Sequence, residues 1–134
     1  MSIFIASRQL LRDNLDMKDM EAFSLALLNS ATVAHLQHWQ TKNYSTHKAL
    51  KKYYEQIPYL TDRLVECFMG RNGILSEFEE ELEIEKNPIR YFKALQKYVD
   101  DSRKHLPKDS ELQNIVDEIL CLINTTLYKL ENLS

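Results

Sequence analysis

The sequence has few of the residues that make turns. Of its 134 residues, only two are Gly and three are Pro. A β-sandwich or β-barrel joins many short strands by turns that use these residues, so their scarcity favours a few long helices. The 44% of hydrophobic and 28% of charged residues are typical of a folded globular protein and not of a disordered chain. The length fits one domain, residues 1–134.

The sequence also lacks the features of several protein classes. It has no run near the roughly 18 apolar residues that a membrane-spanning helix needs, and no signal peptide, so we expect a cytoplasmic protein without a membrane partner. The net charge of −3 and the absence of a lysine-rich tail predict no binding to nucleic acid. Cys67 and Cys121 fit no metal motif and predict reduced, buried thiols.

Apolar residues at spacings of three and four predict four helices. Their expected ranges are 17–39, 46–69, 88–105 and 110 to near the C-terminus. Residues 1–15 read either as an extended arm or as a short helix capped by Ser7. Pro58 falls inside the second helix and predicts a kink without a break, whereas Gly70 predicts the end of that helix.

Capping residues mark the expected helix starts. Ser45 is the predicted N-cap of the second helix. Asn87, followed by Pro88, predicts the start of the third helix. Ser110 and Gln113 have the spacing of a capping box at the start of the fourth helix.

The connection lengths favour a ferritin-like arrangement. Short connections make helices 1 and 2, and helices 3 and 4, antiparallel neighbours. The middle connection, residues 71–86, is strongly acidic and reads as a solvated segment or a binding surface. Fully extended, it reaches roughly 53 Å, which is enough to cross the bundle. We therefore expect an all-α, ferritin-like four-helix bundle with a long crossover between helices 2 and 3.

Chemically active side chains concentrate between residues 34 and 70. Asp62 and Glu66 lie four residues apart and can share a cation, and imidazoles with carboxylates suit iron, zinc or manganese. His47 and Asp62 are about 22 Å apart along one helix, so one chain cannot bring them to one ion. A two-fold homodimer would bring His38 and His47 of one chain to Asp62 and Glu66 of the other.

This stretch resembles the metal-binding hairpin of the Dps family, the ferritin-like DNA-protection proteins of starved cells. His38-Trp39, His47, Asp62 and Glu66 follow that family's order, and the spacing from His47 to Asp62 to Glu66 also matches. The resemblance implies a ferroxidase-type iron site between two subunits. The HxxHW form is similar to a Dps-related family found in tailed-phage genomes, which implies a location in the host cytoplasm.

Two further residues leave the function open. His35, one turn before Trp39, is either a further ligand or a side chain that orients one. Lys51 stands four residues after the second histidine, where the Dps family carries a further acidic ligand. One reading is therefore a metal-binding homo-oligomer with ferroxidase activity or a role in oxidative stress. The alternative is a non-enzymatic helical bundle with a degenerate metal site, such as a phage structural or host-directed protein with a protein partner.

Overall fold

The computed structural model describes residues 3–79 and 82–133, with residues 3–16 described by their backbone alone. All regular structure in this part of the chain is helical, which confirms the predicted all-α class. The elements are α1 (Ile3–Gln40), α2 (Tyr44–Asn72), α3 (Pro88–Ser102), a short 3-10 helix (Arg103–His105) and α4 (Ser110–Asn132). No described helix combines the length and apolar character that a membrane span requires.

Helix α1 is longer than predicted. It begins at Ile3 and not near Met17, so residues 3–15 are neither an extended arm nor a separate short helix. Ser7 lies inside α1 and does not cap it. The reason is local, because this stretch contains no Gly or Pro that would interrupt a helix. Beyond it, the predicted stripe is buried, with Met20 and Leu27 both fully covered.

Asparagine side chains cap α2 and α3. The Asn43 side chain accepts a hydrogen bond of 2.9 Å from the backbone N–H of Thr46, so Asn43 and not Ser45 is the N-cap of α2. The predicted cap of α3 is confirmed, since the Asn87 side chain accepts from the N–H of Arg90 at 3.1 Å. Each bond satisfies one of the N–H groups that the first turn of a helix leaves unpaired.

Helix α2 passes through Pro58 and ends later than predicted. The helix is continuous across Pro58, as expected. Gly70 lies inside α2, and the C-cap is Gly73, whose φ of +97° is in the region that favours glycine. The backbone N–H of Gly73 donates to the carbonyl oxygen of Met69 at 3.0 Å. The prediction that Gly70 ends α2 is therefore wrong by three residues.

The predicted capping box of α4 is also wrong. The N-cap is Asp109, which makes no side-chain capping bond, and Ser110 is already helical. The Gln113 amide faces the preceding segment and donates to the carbonyl oxygens of Arg103 at 3.2 Å and Pro107 at 2.9 Å. Gln113 therefore stabilises the α3–α4 connection instead of the first turn of α4.

The four helices share one apolar core. Helix α1 packs against α2 and α3, and α4 packs against α2 and α3. At the centre, the Tyr53 ring of α2 meets the Phe92 ring of α3 edge to face at 4.7 Å. The largest fully buried side chains come from every helix: Met20, Phe23, Leu27, Leu50, Tyr53, Ile57, Leu64, Phe68, Phe92, Leu112, Ile119 and Ile123.

The connection from α2 to α3 is attached to α1 at two levels. The Glu21 carboxylate accepts hydrogen bonds from the N–H groups of Ser76 at 2.9 Å and Glu77 at 2.6 Å. Further along α1, the Gln37 amide donates to the carbonyl oxygen of Glu85 at 2.7 Å. Glu21 and Gln37 are separated by about 24 Å of helical rise. Helix α1 therefore holds both described ends of this connection.

The two cysteines are free thiols, as predicted, but neither is buried. Cys67 is half-buried on α2, and Cys121 is exposed on α4. The buried stripe of α4 passes through Ile119 and Ile123, so the residue midway between them points away from the core.

Candidate functional site

His38 and His47 meet where α1 ends and α2 begins. The Nδ1 of His38 donates to the backbone carbonyl oxygen of His47 at 2.8 Å. The Nδ1 of His47 donates in turn to the carbonyl oxygen of His38 at 3.0 Å. The two rings stack, with centroids 3.6 Å apart and an interplanar angle of 23°. The structure thus brings His38 and His47 together within one chain.

The end of α1 explains one of these bonds. The last four carbonyl groups of a helix have no partner within the helix, and His38 lies in the last turn of α1. The His47 ring donates a hydrogen bond to the carbonyl oxygen of His38, which would otherwise be unpaired. The turn between the helices is only residues 41–43, and the Asn43 cap fixes the first turn of α2, which carries His47. The short loop and the Asn43 cap therefore fix the position of the His47 ring relative to the His38 ring.

The hydrogen bonds determine which ring nitrogens can bind a ligand. A carbonyl oxygen only accepts, so each Nδ1 carries the hydrogen. In the neutral ring, each Nε2 then holds a free lone pair. Metal-binding histidines in proteins are commonly oriented in this way, by donation from the second ring nitrogen to a carbonyl. His38 is buried and His47 half-buried, so the surrounding structure restrains both rings.

His35 belongs to an aromatic cluster beside this pair. Its ring stacks on Tyr54 at 4.0 Å between centroids and lies 4.7 Å from Trp39 and 6.0 Å from His38. Tyr54 also meets the edge of His38 at 5.3 Å. Among the described residues His35 has no hydrogen-bond partner, so it contacts the pair through its ring alone.

Sequence reasoning missed Tyr54. Its position was a usable signal, because Tyr54 follows His47 by seven residues, which is two turns along the same face of α2. The tyrosine fills the space between His35 and His38 and limits how far either ring can turn.

Asp62 and Glu66 lie elsewhere on the molecule. Both side chains are exposed, and neither has an ion-pair or hydrogen-bond partner among the residues that the structure describes. Because α2 is one continuous helix, His47 and Asp62 are separated by about 22 Å of helical rise. Within the described part of a single chain, no group of three or more His, Cys, Asp or Glu side chains could hold a metal ion. The structure therefore does not bring the histidine pair and the two carboxylates together within one chain.

Lys51 lies close to the histidine pair in sequence but faces solvent. Its ammonium group is 3.9 Å from the carboxylate of Glu55, one turn further along α2, and both side chains are about half exposed. An exposed pair of this kind is a weak interaction of roughly 0.3–0.5 kcal/mol. Lys51 therefore remains free to turn towards another negative group.

Comparison with known families places the chain in one of them. Residues 38–130 match the model of the Family of unknown function (DUF5856). The chain belongs to the DUF5856 family. No curated protein and no solved structure matches the chain.

The DUF5856 match covers most of the candidate site. It begins at His38 and includes His47, Asp62 and Glu66, whereas His35 lies before it. It also covers α2, α3 and nearly all of α4. The family assignment thus refers to the part of the chain that holds the histidine pair, Asp62 and Glu66.

Two neighbouring carboxylates in the middle of α4 are paired with arginines. Asp117 lies 2.7 Å from Arg103, and Glu118 lies 3.0 Å from Arg63 of α2. These pairs join α4 to its neighbours at the protein surface.

Proposed function

We propose that this protein is a metal-binding homo-oligomer of the Dps type, with iron held between two chains. His38 and His47 of one chain would bind together with Asp62 and Glu66 of the other. The observation that carries the proposal is the reciprocal hydrogen bonding of the two histidines, which leaves each Nε2 available to a ligand. The carboxylates of Asp62 and Glu66, which have no partner among the described residues, would supply the other ligands of the site.

The donor set fits a transition metal. Two imidazole nitrogens with two carboxylates suit iron, zinc or manganese, and the resemblance to the Dps hairpin favours iron. When bound, iron would supply the redox chemistry of a ferroxidase-type reaction. The protein would fix the ligands, and the cluster of His35, Tyr54 and Trp39 would limit the movement of His38. His35 is the candidate for a further ligand.

A ferritin-like topology is part of the proposal. Helices α1 and α2 would form one antiparallel hairpin and α3 and α4 the other, joined by a long crossover. Two observations support this arrangement. Helix α1 packs on α2 and α3, and α4 packs on the same two helices. The α2–α3 connection is attached to α1 at Glu21 and again at Gln37, about 24 Å further along.

An exposed stripe on α1 supports a dimer through the α1–α2 hairpin. Leu28 and Trp39 are 44% and 68% exposed. They are eleven residues apart, close to three turns, so they lie on the same face of α1. His35 falls on this face between them. A second chain that covered the stripe would bury its apolar groups and bring its own carboxylates towards the histidine pair.

The non-enzymatic alternative also has an observation in its favour. Each histidine ring donates a hydrogen bond to the backbone carbonyl of the other histidine, and these bonds close the hairpin without any metal. On this reading the bundle is an interaction module, and Lys51 marks the loss of a metal site.

Metal analysis of protein purified without an affinity tag distinguishes the two functions. We expect saturable binding of iron(II), tested without oxygen, at about one ion per chain, which is two equivalent sites in a two-fold dimer. His47→Gln should abolish this binding. His105→Gln is the matched control, because His105 is exposed in the 3-10 helix away from the site. Wild-type protein that binds neither iron(II), zinc nor manganese would support the interaction module.

A further inference from the structure

Four lysines line a groove between α2 and α4. Lys48, Lys51 and Lys52 come from the second and third turns of α2, and Lys129 comes from the last turn of α4. The groove has a volume of about 450 Å³, and Ala49 and Leu133 add apolar surface. We call these four lysines and the space between them the basic groove. Its charge contrasts with the overall net charge of −3.

The positive charge of the basic groove is poorly compensated. Glu55 also lines the groove, but its ion pair is with Lys51. Among the described residues, neither Lys52 nor Lys129 has a carboxylate within ion-pair distance. Desolvation and the neighbouring ammonium group of Lys52 both lower the pKa of Lys129. The first turn of α2 contains no acidic residue, so its positive end adds to the same potential. A negatively charged partner in the groove would relieve this repulsion.

The connection between α2 and α3 carries the opposite charge. Its residues 77–79 and 82–85, here called the acidic connection, alternate glutamates with apolar side chains. The apolar members remain exposed, Phe78 at 49% and Ile84 at 51%. Glu79 and Glu83 are exposed and have no partner among the described residues. Such a surface offers both carboxylates and apolar groups to a partner.

The acidic connection cannot fill the basic groove of its own chain. Its backbone is hydrogen-bonded to Glu21 and Gln37 of α1, whereas the groove lies between α2 and α4. We propose that the acidic connection of one copy of this protein docks into the basic groove of a second copy. Glu79 and Glu83 would face the lysines, and Phe78 or Ile84 would cover the apolar surface at Ala49 and Leu133.

The proposed contact is head-to-tail, with each copy giving its acidic connection to one neighbour and its basic groove to another. Head-to-tail contacts extend into rings or filaments instead of closing as a single two-fold pair. The contact uses neither the histidine pair nor the exposed stripe of α1. It would add to a dimer formed through the α1–α2 hairpin and produce a larger assembly. It does not depend on the proposed metal site.

Charge reversal on the two surfaces provides the test. One variant carries Lys52→Glu and Lys129→Glu, and the other carries Glu79→Lys and Glu83→Lys. In each variant alone, the groove and the connection carry the same charge and repel each other, so the contact should be lost. Mixed in equal amounts, each surface again meets its opposite, so the assembly should return. Lys93→Glu with Lys104→Glu is the matched control, since both lysines are exposed outside the basic groove.

Sedimentation velocity at low and high salt measures the outcome. Wild-type protein should form species larger than a dimer at low salt and lose them as salt screens the exposed charges. Each variant alone should need at least about tenfold more protein for the same assembly, and the mixture should match wild type. Circular dichroism checks folding, and metal content checks the histidine site separately.

Four results would overturn the proposal. The first is a folded wild-type protein that never exceeds a dimer at low salt. The second is two single-surface variants that assemble as wild type does. The third is a mixture that fails to recover. A wild-type dimer whose lysine groove instead binds short duplex DNA would identify another polyanion as the occupant and equally contradict the docking of a second copy.

Discussion

His38 and His47 each donate a ring Nδ1 hydrogen to the other's backbone carbonyl oxygen, across distances of 2.8 and 3.0 Å. One contact therefore has two consequences. It closes the α1–α2 hairpin by pairing a carbonyl at the end of α1. It also orients both rings so that each Nε2 is available to a ligand. A metal site built on this pair starts from rings that are already held in place.

The two glycines provide a matched pair of stability predictions. Gly73→Ala should destabilise the fold by about 1–2 kcal/mol, because the residue adopts a φ of +97°, which residues with a side chain rarely adopt. Gly70→Ala should stabilise it by about 0.5–1 kcal/mol, because the residue is helical and a Cβ would meet nothing within 4 Å. Urea unfolding of both variants measures the difference. Equal effects would contradict the assignment of Gly73 as the C-cap.

Tyr53→Phe should cost about 1 kcal/mol of unfolding free energy. The Ser30 hydroxyl donates to the carbonyl of Leu27, so its oxygen accepts from the Tyr53 hydroxyl at 2.7 Å. Burial raises the pKa of Tyr53, which keeps that hydroxyl protonated and able to donate. Thermal or urea unfolding measures the loss. Tyr128→Phe, at a position 57% exposed, should leave stability unchanged, and equal losses in the two variants would argue against the buried bond.

Glu21→Gln should release the start of the α2–α3 connection. The buried Glu21 carboxylate accepts two backbone hydrogen bonds at one oxygen, Oε2, from Ser76 and Glu77. A neutral amide lacks the negative charge that strengthens both of these bonds. We expect a loss of about 1–3 kcal/mol and faster hydrogen exchange at these two amides. Glu111→Gln, which breaks only an exposed pair with Arg71, is the control. Unchanged exchange at Ser76 and Glu77 would contradict the attachment.

The existence of four helices could be predicted, but several of their ends could not. The spacing of apolar residues in the sequence predicts which side of a helix is buried. The buried residues of α2, α3 and α4 have this spacing. The end of a helix is harder to predict where neighbouring residues are equally suitable as caps. Gly70 and Gly73 are both plausible stops, and the path of the chain after α2 is fixed by the bonds of Glu21 to Ser76 and Glu77, which are more than fifty residues away in sequence. Such long-range contacts leave no local signal.

The candidate site was predictable to a similar degree. A short loop between antiparallel helices brings His38 to His47, and helical rise separates His47 from Asp62. The reciprocal hydrogen bonds were not predictable, because they depend on ring orientations and on the carbonyl that the end of α1 leaves free. The packing of Tyr54 against His35 and His38 also depends on tertiary geometry. The sharing of the site between chains stays a prediction.

The most direct test of that sharing is metal binding by mixed variants. Asp62→Ala and His47→Ala homodimers should each lose both sites, because every site needs the histidines of one chain and the carboxylates of the other. After the two variants are unfolded together and refolded, half of the dimers should be hybrids, and each hybrid should hold one intact site. Isothermal titration with iron(II) should then recover about one quarter of the wild-type capacity. No recovery, despite subunit exchange confirmed by mass spectrometry, would contradict a site shared between chains.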